Sequence, residues 1–224
     1  MNISVLIPSR GNAHLLAESI HFLLSRAANP KQIEIVLRMD NDDPAAIVFP
    51  SAILGPSLGY TGNHIYYEEC YRRSTGDLLL AWNDDAEMVT PRWDELYIEA
   101  LKNTRFGVAC ADIDSGSDGR YGWALPMVRR DLCEACGQFC TGTGTIDRIF
   151  DAYARLSGRG VNAPVSLAHH WQPLQPGSER QKMYNYASGH WDEMNIEWDT
   201  AAMDMVARMR SKMRDIWSAK GQAP

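Results

Sequence analysis

The stretch that decides the fold is DLLLAWNDDAEM, residues 77–88. Its first half is, after Asp77, a continuous apolar run of strand length, the pattern of a strand covered on both faces. Its second half places Asp84, Asp85 and Glu87 within four positions. Carboxylates crowded together, with no lysine or arginine between them, repel one another unless a cation or cationic ligand neutralises them. A divalent metal is the economical answer, because Mg2+ and Mn2+ take carboxylate oxygens and share them with substrate phosphates.

Upstream of this stretch, GPSLGYTG (55–62) reads as a loop, and a helix is predicted from about Asn63 to Ser74, closed by Thr75 and Gly76. Downstream, TPRWDELYIEALKN (90–103) reads as a helix with Thr90 as N-cap and Pro91 at its first position. Farther back, Ile3 to Ile7 is a β-branched apolar run, and Leu15, Leu16, Ile20, Leu23 and Leu24 have helical spacing between Ala13 and Ala28. IEIVLRM (33–39) is a second buried strand that stops at DNDDP, and AIVFP (46–50) is expected to be a third. Strands alternating with helices predict a mostly parallel sheet covered on both faces.

Past Asn103 the pattern loosens. FGVACADI reads as a strand, DSGSDGRYG as a surface loop, PMVRRDLCEACG as a helix ending on Gly137, IDRIFDAYARLSG as a helix ending on Gly158, and APVSLAHHW as a short strand. QPLQPGSERQKM is polar and rich in turn formers, so a mobile loop is expected there. In the tail from Asp199, Met203, Val206, Met209 and Met213 recur at helical spacing and predict an amphipathic helix.

The chain has 224 residues, 45% of them hydrophobic, and a formal net charge of -6. That suits one compact domain, or one with a small appendage, and argues against a general nucleic-acid coat or a binder of anionic membranes. Five cysteines form no framework spacing, so they read as reduced thiols in a cytoplasmic protein. The N-terminal apolar run breaks at Pro8 after five residues, unlike a signal peptide, and no apolar run approaches the roughly 20 residues that span a bilayer.

In an open α/β sheet the C-terminal strand ends form the ligand crevice. Three apolar strands here end in polar clusters, PSRGN after Ile7, DNDDP after Met39 and NDDAE after Trp82. All three are expected on one sheet edge. Taken singly, DNDDP reads equally as an Asx-type turn and NDDAE as a helix cap.

Taken together, in order and spacing, SVLIPSRGN, IEIVLRMDNDD, GYTGNHIYYEECYRRSTGDLLLAWNDDAEM, GTIDRIFDAY and LAHHW resemble the GT-A nucleotide-sugar glycosyltransferases of the family 2 type, over roughly residues 3–170. The resemblance implies an α/β fold, a GT-A (Rossmann-like) mostly parallel sheet flanked by helices, with a C-terminal helical extension. It implies a glycosyltransferase domain over 1–175, with a nucleotide-binding half to about 103 and an acceptor half beyond it, and residues 176–224 as a loop and helix packed on that domain.

Position by position, the resemblance puts Pro8, Ser9 and Arg10 against the nucleotide and Asp40 on the base or ribose, with Asp42 or Asp43 assisting. It adds Asn63, ahead of the second helix, to the donor-binding set. NDD takes the place of the Asp-x-Asp motif, so Asp85 is the metal ligand for Mn2+ or Mg2+, Asp84 faces the sugar or the loop, and Asn83 is a neutral partner where the family has a carboxylate. His169 and His170 match the position where a histidine completes the metal site. Asp147 matches the catalytic base, with Asp151 one helical turn on as backup. Such a base deprotonates the acceptor hydroxyl as it attacks the anomeric carbon, which implies an inverting transfer of a hexosyltransferase type.

Beside the resemblance, Arg180 or Lys182 in the polar loop would meet phosphate, and Tyr121 and Trp123 would offer an acceptor platform or serve as core. Cys133, Cys136 and Cys140 lack the second pair of a zinc site and read as buried thiols. Two other functions stay open, a nucleotidyltransferase and a catalytically inactive nucleotide-sugar-binding protein of the same fold. The former would want more than the single arginine of PSRGNAHLL near its triphosphate. The acceptor hydroxyl, in a saccharide, small molecule, protein or modified nucleic acid, is not named by these residues.

Overall fold

The computed structural model describes residues 1–59, 62–113, 125–142, 145–169 and 190–219, with the backbone alone at 112, 113, 169, 191 and 192. The strands are β1 (Ile3–Ser9), β2 (Ile33–Asp40), β3 (Ile53–Gly55), β4 (Leu78–Ala81), β5 (Ala86–Met88), β6 (Val108–Ile113), β7 (Met127–Arg129) and β8 (Gly160–His169). The helices are α1 (Ala13–Arg26), α2 (Asn63–Arg73), α3 (Trp93–Leu101), α4 (Arg130–Cys136), α5 (Ile146–Ser157) and α6 (Trp191–Ala219).

Among the described residues the strands form one sheet of eight, in the order β3-β2-β1-β4-β7-β6-β8-β5. β1 pairs parallel with β2 and β4, β2 with β3, and β6 with β8. β7 is antiparallel to both β4 and β6, so its two reversals return β6 and β8 to the direction of β4. The C-terminal ends of β1, β2, β4, β6 and β8 therefore emerge on one edge.

Side-chain alternation along the strands divides the core into two layers. Ile3, Val5, Ile7, Leu78 and Leu80 face α1 and α3, meeting Leu16, Leu23, Trp93 and Tyr97. Leu6, Leu79, Val108 and Cys110 face the other helices, meeting Tyr67, Leu132, Phe150 and, from α6, Trp198 and Met205. Both faces of the sheet are thus covered, which is why its strands read as unbroken apolar runs. No helix among the described residues is long and apolar enough to cross a membrane.

Several expectations change. AIVFP is no strand: Pro44–Val48 is a 3-10 helix whose N-cap, Asp43, accepts from the backbone of Ala45 at 2.9 Å, and β3 lies later in the chain. Its apolar residues mislead because Ile47 is 87% exposed. Thr90 does not cap α3, since its Oγ accepts from the Ser166 amide at 2.7 Å and the chain turns into the helix through Arg92 at φ 59°. The start of PMVRRDLCEACG is β7, and only Arg130–Cys136 is helical. Glu87, expected at the surface or at a helix entry, lies instead in AEM, the edge strand β5. α6 starts earlier than expected, and Met205 replaces the exposed Met203 on its buried face. The 114–122 loop and the 172–183 segment lie outside the described residues.

The five cysteines are free, four of them buried and Cys140 partly so. Burial pushes the Cys70, Cys136 and Cys140 thiols up to about 12, leaving them protonated and inert.

Candidate functional site

The polar clusters that end β1, β2 and β4 meet in one cleft of about 490 Å3 at the C-terminal sheet edge. Pro8, Ser9, Arg10, Asp40, Asn63, Asn83, Asp84 and Asp85 all line it, joined by Asn12, Arg38, Ser57, Gly59 and Tyr66. β2, β1 and β4 are successive neighbours in the sheet, so the ends of β2 and β4 stand two strand spacings apart, about 10 Å.

At the β4 end the chain leaves the sheet through Asn83, Asp84 and Asp85 and re-enters it at once as β5. The turn is held from three sides. The Trp82 indole donates to Ser19 Oγ at 2.7 Å, and Ser19 in turn donates to the carbonyl of Ala86 at 2.6 Å. The Tyr67 hydroxyl donates to the carbonyl of Trp82 at 3.0 Å and stands 3.4 Å from Asn83 Oδ1. Asp84 Oδ2 accepts from Ser9 Oγ at 2.6 Å and from Asn12 Nδ2 at 3.4 Å, which ties this turn to the loop after β1. Burial raises the pKa of Asp84, the bond from Ser9 opposes that, and the charge of Asp85 adds to it.

At the β2 end the carboxylates meet arginines. Arg10 donates to Asp40 Oδ2 at 2.6 Å and to both oxygens of Asp42, at 2.6 and 3.1 Å. These bonds hold the Asp42 carboxyl below its usual range and the Arg10 guanidinium above its own. The other oxygen of Asp40 accepts from Arg38. Asp43 is committed to backbone, with Oδ2 accepting from Gly11 at 2.7 Å while Oδ1 caps the 3-10 helix. Asp42 lines a neighbouring hollow and reaches the cleft through Arg10.

Asp147 opens α5. That helix ends at Ser157, and β8 starts soon after it at Gly160, which pairs with Val108 at the start of β6. Its 12 residues climb about 18 Å back toward the C-terminal edge, so Asp147 stands on the cleft's side of the sheet. It does not line the cleft itself. Desolvation raises its pKa, and that of Asp151 as well.

His169 ends β8 and pairs in register with Ala86, the residue after Asp85. Its backbone thus stands beside the acidic turn, a neighbourhood that no sequence spacing predicts. His170, Tyr121, Trp123, Arg180 and Lys182 lie outside the described residues. Among the described residues no three His, Cys, Asp or Glu side chains gather to hold a metal by themselves. The donor set still suits a hard divalent ion shared with phosphate, because Asp84 and Asp85 adjoin one another and Arg10 spends its charge on Asp40 and Asp42.

Sequence reading missed Arg38, Tyr66, Asn12 and the supporting Ser19 and Tyr67. Arg38 carried a signal, as the one basic residue in an apolar strand, two positions from Asp40 and so on the same face. Tyr66 and Ser19 carried none.

This sheet, with its acidic turn on the edge where parallel strands end, defines a class of fold shared with solved transferases. S. aureus TarS 1-349 in complex with UDP-GlcNAc superposes with a TM-score of 0.60 at 12% identity, covering 97% of this chain and 75% of that one. The same protein with UDP gives 0.58 at 13% identity over 75% of this chain and 60% of that one. A mannosyltransferase from Pyrobaculum calidifontis, PcManGT in complex with GDP-Man and Mn2+, gives 0.58 at 12% identity over 97% and 87%. Against another TarS structure the chain spans 37% of that protein's length. No protein-family model matches the chain, and no curated protein matches it. The chain has the GT-A fold of nucleotide-sugar glycosyltransferases.

Proposed function

We propose that this chain is a metal-dependent glycosyltransferase that moves a sugar from a nucleotide-diphospho-sugar to an acceptor hydroxyl with inversion. The observation that carries the reading is the convergence of Ser9, Arg10, Asp40, Asn83, Asp84 and Asp85 on one cleft at the C-terminal edge of a GT-A sheet. UDP-GlcNAc in TarS and GDP-Man with Mn2+ in PcManGT support the donor class and the use of a metal.

Mn2+ or Mg2+, held by Asp85 with His169 or His170, would neutralise the charge that gathers on the departing diphosphate. Arg10 and Asn63 would orient the donor, and Asp84 would hold the loop after β1 in place through Ser9 and Asn12. Asp147 would take the proton from the acceptor hydroxyl as its oxygen attacks the anomeric carbon and the nucleoside diphosphate leaves from the opposite side. Desolvation raises the pKa of Asp147, which makes its carboxylate a stronger base for that proton.

The test is a thermal-shift panel of UDP-, GDP-, TDP- and CDP-sugars with and without Mn2+, because a ligand that binds only the native state raises its melting temperature. One nucleotide class is expected to stabilise the protein, and more so with metal. Stabilisation by none of them would remove the proposal.

A further inference from the structure

The β2 end of the cleft holds a structure that the acidic turn does not need. Arg38 is 1% exposed, and its guanidinium donates to Asp40, to Glu69 Oε2 at 2.8 Å and to the carbonyl of Pro56 at 2.6 Å. It lies 4.0 Å from the centre of the Tyr66 ring and covers one face of it. The Tyr66 hydroxyl is fixed as well, accepting from the Leu58 amide at 2.6 Å, and the ring borders the cleft. Gly55 leaves room for this arrangement, since a Cβ there would stand 2.7 Å from Arg38 Nη2.

Asp40 belongs to the same network. Its side chain is 3% exposed, with one oxygen on Arg10 and the other on Arg38. A carboxylate so enclosed acts on a ligand mainly through the arginines it holds.

We infer that Tyr66, backed by Arg38, is the stacking platform for the nucleobase of the donor, and that Arg38 and Asp40 are positioning residues for it. This inference rests on the proposed transferase reading. The about 10 Å between the strand ends suits the placement, with the diphosphate at the β4 turn and the base at the β2 end. A ring pinned at its hydroxyl and on one face has little freedom left to lose when a base stacks on it. Stacking of this kind is tolerant of base identity, because every base has a π-face.

The experiment titrates UDP and GDP into the full chain with Mn2+, by calorimetry and by the ultraviolet hypochromism of the bound base. Tyr66→Ala is expected to weaken the preferred nucleotide about tenfold or more and to abolish the hypochromism, while Tyr66→Phe keeps both. Arg38→Met is expected to weaken binding in the same direction, with hypochromism reduced. If Tyr66→Ala binds as the wild type does, or keeps the hypochromism, the platform is wrong while the transferase reading stands. If the wild type binds neither of these nor TDP or CDP, both fall together.

Discussion

Asp147 and Asp85 are expected to separate cleanly by substitution. Asp147→Asn should cut turnover at least about 100-fold, the usual scale for a general base, while donor binding is preserved. Loss of donor binding in that variant would contradict its assignment as base. Asp85→Ala should instead abolish the metal-dependent part of donor binding, read from the Mn2+ dependence of the thermal shift. The raised pKa of Asp147 also has a stability consequence. A carboxyl whose pKa is higher in the folded chain contributes stability below the ordinary aspartate value and loses it as pH rises through its raised value. Asp147→Asn should therefore melt higher than the wild type at neutral pH, with the gain shrinking as the pH falls toward the ordinary aspartate range. A variant that melts lower at pH 7 would show that the carboxylate is not under desolvation strain.

At the scale of elements, the acidic turn depends on packing beneath it. Ser19 sits on α1 and links the Trp82 indole to the carbonyl of Ala86, all buried. Ser19→Ala leaves that indole N–H unpaired and should cost about 1–3 kcal/mol by denaturant titration. The junction between α2 and β4 is equally tight. A Cβ at Gly76 would stand 2.6 Å from the backbone nitrogen of Ser4 and 2.9 Å from the carbonyl carbon of Ile3. Backbone atoms of a central strand cannot move aside, so Gly76→Ala should destabilise by about 1–3 kcal/mol or more, as overpacking does. The glycine of STGD thus serves the close approach of two elements and does not close α2, which ends at Arg73 with Ser74 as an extended C-cap.

On the scale of the whole molecule, α6 is part of the core. Trp198, Ala202, Met205, Val206 and Met209 join the layer that also holds Phe150 and Leu132. Met205→Ala should cost about 2–5 kcal/mol. Met203→Ala, on the 55% exposed side of the same helix, should stay within about 0.5 kcal/mol of the wild type. Equal costs for the two would mean that α6 does not dock as described.

What the sequence determined by itself was local. Apolar runs announced β1, β2, β4 and β6. Helical spacing announced α1 and the C-terminal helix, with Gly137 and Gly158 ending α4 and α5 in the left-handed conformation. The polar residues after Ile7, Met39 and Trp82 announced the cleft edge. These signals were legible because periodicity and capping act over a few residues. Only the tertiary structure decided that the three residues at 127–129 pair as a strand, that AEM forms an edge strand beside β8, and that IVF at 47–49 does not pair at all. Short apolar runs lack the length that tells strand from turn, and their fate rests on neighbours far along the chain. The same reason explains the cleft. Asp84 finds Ser9 75 residues away, Arg10 finds Asp40 at 30 residues, and His169 comes to lie beside Ala86 through strand register alone. Sequence supplied the charges, and the order and register of the strands decided which of them meet.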